Sequence, residues 1–588
     1  MSSLDDLFKK PALPSNKRKL ETARDPNEIY KAAKVGSNGL GKSNGKAAEV
    51  AEEDDDDMEA GPSMPPDDED YGPDIPDDDE GRFFGGGVTQ EENEVLDYMD
   101  GQESAEIAPE KIDSAWLRKL ALNFEKKITK NAELRAKFEN EPAKFMGSEA
   151  DLDADIKALS ILSEHPELYA EFAKLGCVGS LVGLLAHENT DIAIDAVEII
   201  SELTDEDVEA EQEQWKAITD AMVESDLLDL IISNFSRFDE SIESDRSGVY
   251  HALSVLENLA SQQSLAEKIG QDTTVLKWLL GRIQKKESPV TQNKQYAAEV
   301  LAILLQSSSI NRTKLCELDG VDTLLQILAA YRKRDPAKGT EEEEFVENVF
   351  DALTCCVDEP SGKSKFLEAE GTELCLIMIR EGKMSKPRAL RLVDHALNGT
   401  SGVEACEKLV DAAGLKVTFS MFMKKSLDAQ TIEHLLGIFS SLLRHLPANS
   451  ASRIRTLAKF VEKDYEKIVK LIKIRRDFAA RVAVVDGEIN DESKGMDAEE
   501  REEMADESLG RRLDAGLFCL QSVDVVLSWL VAEDGGAEKK VRELLAERDE
   551  GLELLKSTIM EQLNTITGDS EEETLMKDML NTLAQFLA

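Results

Sequence analysis

Aromatic side chains are scarce in this 588-residue chain, at 5%. Leu, Ala, Glu and Lys are plentiful instead, a balance that disfavours sheets and favours helices. Net positive charge is missing as well. A formal charge of −50 at pH 7 excludes a general binder of nucleic acid or of anionic membranes, because both surfaces would repel it. No apolar run approaches the roughly 18 residues a membrane span needs. The opening MSSLDDLFKK lacks the apolar core of a secretory signal. The seven cysteines (177, 316, 355, 356, 375, 406 and 519) form no C-x-x-C, and none has a histidine at metal-ligand spacing. They read as reduced, buried thiols of an intracellular protein.

Catalytic constellations are equally thin. The six histidines (165, 187, 251, 395, 434 and 445) belong to no H-E-x-x-H or G-x-S-x-G context. Asp394 and His395 are adjacent, but neighbours on a helix point about 100° apart and cannot act as orienter and base. Cys355–Cys356 reads as packing. One motif does match: GSNGLGKS (36–43) satisfies the phosphate-loop pattern, with Lys42 and Ser43 in place. A working phosphate loop sits between a buried strand and a helix N-terminus. Here IYKAAKV precedes it and the polyacidic NGKAAEVAEEDDDD follows, which would repel a triphosphate. The segment reads as a linker. The expectation is a non-enzymatic protein with no cofactor and no metal.

What is present falls into four regions. Residues 1–110 carry 11 Lys/Arg against 30 Asp/Glu, with EEDDDD, DDED and DDDE runs between Pro and Gly. Such a tail cannot bury enough apolar surface to offset its ordering entropy, so disorder is expected. Within it Lys17, Arg18 and Lys19 resemble a short nuclear-localisation signal, or a segment able to fold back on the protein's own acidic surface. Residues 111–176 are predicted N-terminal capping helices; Asp113 is a candidate N-cap ahead of a Trp116, Leu120, Phe124, Ile128 stripe. Residues 449–588 are predicted C-terminal helices, interrupted by an acidic loop at 486–508.

Between them, residues 177–448 repeat. Six times a short apolar helix, a polar turn and a longer amphipathic helix recur, beginning with CVGSLVGLLAHENTDIAIDAVEIISELTDED (177–207). The apolar anchors Leu185, Ile231, Leu279, Leu328, Met378 and Phe422 fall 46, 48, 49, 50 and 44 residues apart. A helical period in this range predicts an all-α, right-handed armadillo or HEAT solenoid, whose helix pairs bury their apolar faces only by stacking. Gly176, Gly320 and Gly371 suit the tight turns between units.

In armadillo proteins the third helix of each repeat lines a groove. Import receptors of that class read basic peptides with a Trp and an Asn four residues apart there. Aligning the long helices on their A/V-L-x-x-L core puts Glu198/Glu202, Ser254/Asn258, Glu299/Ile303, Asp351/Cys355, Asp394/Asn398 and Gly437/Ser441 at those positions. The tryptophans are absent. A carboxylate ladder of Glu198, Glu202, Glu299, Asp351 and Asp394, with Asn258 and Asn398, replaces them. It would attract an extended Lys/Arg-rich segment; the same residues would equally serve as solvated helix faces.

Several stretches resemble the nuclear β-catenin-like protein 1 family: LNFEKKITKNAELRAKF (122–138), PAKFMGSEADLDADI (142–156), HENTDIAIDAVEIISELTD (187–205), LVDHALNG (392–399) and LGRRLDAGLFCLQ (509–521) among them. The resemblance is collinear from about 115 to 530. It implies a nuclear, non-enzymatic scaffold of the pre-mRNA splicing machinery that recognises basic segments of its partners. Chief among these would be the Myb-domain, cell-division-cycle-like splicing factor and its complex. It also implies a tendency to self-associate. A transport adaptor carrying basic cargo is the alternative.

Overall fold

The corner between consecutive helices decides whether a repeat can stack, and in this chain the corners are built alike. The computed structural model describes residues 111–587 except 272, 496–499, 501–503 and 569. Gly176, Asp226, Asp319, Glu370 and Ala413 stand immediately before the second helix of their repeats, with φ between 54° and 80°. A left-handed residue ends one helix and redirects the chain into the next. Only the first of these is a glycine, so the others carry a cost of about 1 kcal/mol each. Gly320 and Gly371 are therefore needed for a different reason than the sequence suggested. Their φ is ordinary, but a Cβ on Gly320 would lie 2.8 Å from the Leu315 carbonyl oxygen, and one on Gly371 2.3 Å from the Phe366 ring.

Each repeat has three helices rather than two. A short, polar first helix precedes each predicted pair, as Gln212–Glu224, Ser309–Glu317 and Pro360–Glu368 illustrate. Periodicity misses these because they bury so little: Ser309–Glu317 buries only Asn311, Leu315 and Cys316. The third, long helices are Thr190–Thr204 (α1), Glu243–Ala260 (α2), Gln292–Ser307 (α3), Glu341–Asp358 (α4), Ser385–Leu397 (α5) and Ala429–His445 (α6). Side-chain caps start several of them. Asn189 Oδ1 accepts from Asp191 N at 3.1 Å, and Asp428 Oδ1 from Thr431 N at 2.7 Å. All six predicted anchors are buried. Among the described residues there is no strand, and the architecture is the armadillo-type solenoid that the period implied.

The helix Ser114–Lys137 precedes the repeats. Asp113 caps it, its Oδ1 accepting from Ala115 N at 2.9 Å and Trp116 N at 3.1 Å. Its buried line is Leu117, Ala121, Phe124 and Asn131; Leu120 and Ile128 of the predicted stripe lie at the half-buried margin.

Beyond α6 the chain turns into Ala451–Glu492 (α7), which breaks at Glu462–Tyr465, where Lys463, Asp464 and Tyr465 all hold positive φ. Phe460 packs edge-on to Phe419 and Phe439 at 4.8 and 5.4 Å between ring centroids, joining α7 to the last repeat. Both ends of the acidic loop expected at 486–508 are helical: residues 486–492 belong to α7, and residues 505–508 to the helix Ala505–Asp514. Arg511 sits 2.5 Å from Glu492 and Arg512 2.8 Å from Asp486, so the acidic turns are compensated by the next helix. Leu517–Glu533 (α8) is buried on most sides and carries Asp524, fully buried, which accepts from Arg475 Nε at 2.7 Å and Nη2 at 3.1 Å. Glu553–Thr565 (α9) and Glu571–Phe586 (α10) pack on α8, the latter opened by a Ser570/Glu573 capping box. The tail 1–110, with GSNGLGKS and Lys17, Arg18 and Lys19, lies outside the described residues.

Two substitutions test this construction. Gly371→Ala should lower stability by about 1–3 kcal/mol through the clash with Phe366; an unchanged urea midpoint would mean the corner relaxes freely. Arg475→Ala strands the Asp524 carboxylate and should cost about 3–5 kcal/mol, read in the same titration.

Candidate peptide-binding groove

Each long helix buries most of its circumference and leaves one half-exposed stripe. On α1 this is Asp191, Asp195, Glu198 and Glu202; on α2, Ser247, His251, Ser254 and Asn258; on α3, Glu299, Ile303 and Gln306. On α4 it is Glu347, Asp351 and Asp358; on α5, Arg388, Arg391, Asp394 and His395; on α6, Glu433, Gly437, Ser440 and Arg444. The i, i+3, i+4 spacing of these residues is that of a single helix face. All seven residues singled out in the sequence (Glu198, Glu202, Asn258, Glu299, Asp351, Asp394 and Asn398) lie on these stripes, Asn398 just past the end of α5.

The stripes adjoin, and polar side chains bridge them. Ser201 Oγ donates to Ser254 Oγ at 2.9 Å, and Asn258 Nδ2 donates to Ser201 O and Thr204 Oγ1, both at 3.2 Å. Tyr296 donates its hydroxyl proton to Glu257. Arg388 pairs with Glu347 and Arg391 with Asp351. His395 Nδ1 lies 2.9 Å from Asp358 Oδ1, and His434 Nδ1 3.0 Å from Asp394 Oδ2. Gly437 makes room for that last bond, since a Cβ there would meet Asp394 Oδ1 at 2.2 Å.

The ladder is thus uneven. Asp351 and Asp394 are each engaged by a side chain of the following repeat, and Glu299 accepts from Gln295 at 2.8 Å within its own helix. The Glu198 side chain is more accessible than those of Asp351 and Asp394, at 41% exposure, with His251 Nε2 at 3.8 Å. Glu202 Oε2 is buried with no hydrogen-bond partner among the described residues. Asn258 and Asn398 hold backbone rather than facing a ligand: Asn398 Oδ1 accepts from Gly399 N at 2.9 Å. Sequence reasoning missed the bridging arginines and histidine. Their signal was present, since Arg388, Arg391 and His434 lie 40 or 41 residues after the carboxylates they meet.

Burial tunes these groups. It pushes His251 and His445 down to about 4, so both are neutral near pH 7 and the Glu198–His251 contact is not an ion pair there. It pushes Asp195 up to about 7, with Asp153 adding to the rise, and raises Glu433 as well. The Cys355 thiol is pushed up to about 12 by burial, which suits packing and not redox chemistry. The tryptophans that an import receptor would place in its groove serve elsewhere. Trp215 Nε1 donates to Thr204 O at 3.2 Å, Trp278 stacks on Phe235 at 3.8 Å, and Trp529 lies beneath the Arg453 guanidinium at 5.0 Å. Among the described residues no three His, Cys, Asp or Glu side chains gather as a metal site.

A histidine whose folded pKa is depressed stabilises the fold above its unfolded value, and that stability is lost as pH falls toward the folded value. Between pH 7 and pH 5 the parent protein should therefore lose about 2 kcal/mol relative to His251→Gln. Urea titrations of both proteins at the two pH values check this, and equal losses would place a freely protonating His251 in the groove.

Residues 93–560 match the family described as catenin-beta-like, Arm-motif containing nuclear. The β-catenin-like protein 1 homolog of Schizosaccharomyces pombe is 40% identical over 498 residues, covering 84% of this chain and 86% of that protein. The β-catenin-like protein 1 of Homo sapiens is 37% identical over 493 residues, with 81% and 86% covered. Among solved structures, an engineered protein aligns over 74% of this chain and 95% of its own, at 14% identity and a TM-score of 0.44. By the match across most of its length and by these relatives, the chain belongs to the catenin-beta-like, Arm-motif containing nuclear family.

Proposed function

We propose that this chain is a non-enzymatic scaffold of the pre-mRNA splicing machinery, acting in the nucleus. In this reading it holds basic, nuclear-localisation-type segments of partner proteins along the stripe of its long helices. The observation that carries the reading is the α1 stripe, where Asp191, Glu198 and Glu202 stand beside the Lys157-paired Asp195 and the buried Glu202 Oε2 has no donor among the described residues. Charge-assisted bonds from Lys or Arg would complete it. Farther along, Arg388 and Arg391 offset the carboxylates they touch, so attraction should be strongest at the N-terminal end. The splicing assignment and the preferred partner, the Myb-domain, cell-division-cycle-like factor with its complex, come with the family resemblance. So does self-association into a homodimer.

The transport-adaptor alternative shares the fold but not the site chemistry. The tryptophans of its Trp/Asn array have no counterpart on these stripes, since the four tryptophans of this chain lie off the aligned positions.

Fluorescence anisotropy with a labelled Lys/Arg-rich peptide at several salt concentrations tests the reading. Saturable binding that weakens with salt is expected, reduced about tenfold or more by Glu198→Gln with Glu202→Gln, a loss of about 1.4 kcal/mol or more. Asp351→Asn with Asp394→Asn should weaken it less, because those carboxylates are already engaged. Binding indifferent to the first pair of substitutions would return α1 to ordinary solvated surface.

A further inference from the structure

At the far end of the row, α9 and α10 lie across the last repeats without filling the space beneath them. A cavity of about 200 Å³ remains, lined by Asp394, Glu433, His434, His445, Gln562 and Met579 among others. Its polar atoms are not those of a finished core. His434 is only 8% exposed. Its Nδ1 faces the Asp394 carboxylate at 3.0 Å, so that nitrogen holds a proton toward it and Nε2 is the ring nitrogen left over. That Nε2 has no hydrogen-bond partner among the described residues, and neither does His445 Nε2 or Gln562 Oε1. Each is buried, and a buried polar atom left unpaired is costly. Three around one cavity call for a polar partner from outside.

The remaining lining narrows what that partner is. Asp394 and Glu433 contribute carboxyl groups against one guanidinium, that of Arg444, which points Nη1 at the Met576 sulfur 3.8 Å away. Met576, Met579, Phe518 and Val525 supply an apolar wall. A group with several N–H donors, a positive charge and an apolar stem fits all three features. Arginine has five such donors in a planar head, on a stem that packs well against thioethers.

We propose that this cavity receives an arginine side chain of the bound basic segment, as its anchor at the C-terminal end of the groove. The proposal rests on the groove reading above and extends it to a second contact. Neighbouring long helices pack about 8–10 Å apart, so α1 and α6 are separated by about 40–50 Å. An extended segment of about 12–15 residues bridges that distance.

The test uses the full chain, two probes and two variants. Met579→Trp fills the cavity without changing charge, and Glu433→Gln removes a carboxyl group without changing size. Circular dichroism melts establish that each is folded. Arg-rich peptide affinity should fall at least tenfold in both variants. N-acetyl-arginine amide should shift the His434 ring resonances saturably in the parent and not in Met579→Trp. Peptide binding that is lost with Glu198→Gln and Glu202→Gln but untouched by both cavity variants would overturn the proposal while leaving the groove reading intact. Arginine amide binding that is sensitive to Met579→Trp, with no peptide binding at all, would uphold the cavity and sink the groove reading. Failure of both probes would overturn both.

Discussion

No helix of this chain can bury its apolar face by itself, and the structure follows from how neighbours are made to share one. Apolar stacking supplies the attraction but is indifferent to rotation: a Leu/Ala face tolerates several registers. Register is set by the polar bridges, Ser201–Ser254, Arg391–Asp351, His395–Asp358 and His434–Asp394. Each satisfies a half-buried group only when adjacent long helices are turned to one angle. The corners contribute the other constraint. Asp319, Glu370 and Ala413 accept a left-handed conformation so that the next helix starts in the stacking direction.

The same bridges shape the chemistry of the groove. A carboxylate that holds its neighbour in register has less to offer a ligand. In the proposed reading, recognition would fall to the places where bridging leaves polar atoms over, namely Glu198 and Glu202 at one end and the cavity beside His434 at the other. Structural and recognition roles would then be divided along one row of helices.

Much of the fold was legible in the sequence because apolar anchors recur at a nearly constant interval, and such recurrence survives any change of surface residues. Asp113 was legible as a cap for the same local reason: one carboxylate before an amphipathic run. The short first helices were not, because a nine-residue segment such as Ser309–Glu317 buries three side chains and leaves almost no periodic trace. Nor was the reach of α7 to Glu492, which depends on Arg511 and Arg512 far along the chain. On the long helices, the residues singled out from the aligned sequence fall on the faces that the structure leaves half-exposed. The sequence could not tell an engaged carboxylate from an open one, since Arg391 and His434 stand one repeat away. Gln562 joins the site only because α9 folds back, which no local pattern announces.

The fixed rotation of one long helix against the next has a metric consequence. Helix axes about 8–10 Å apart match about three residues of an extended chain at 3.3 Å each. A ligand lying along the row thus meets a new stripe every third residue. Such a surface measures intervals: it would accept many different segments whose positive charges keep that step, and refuse the same composition shuffled out of phase.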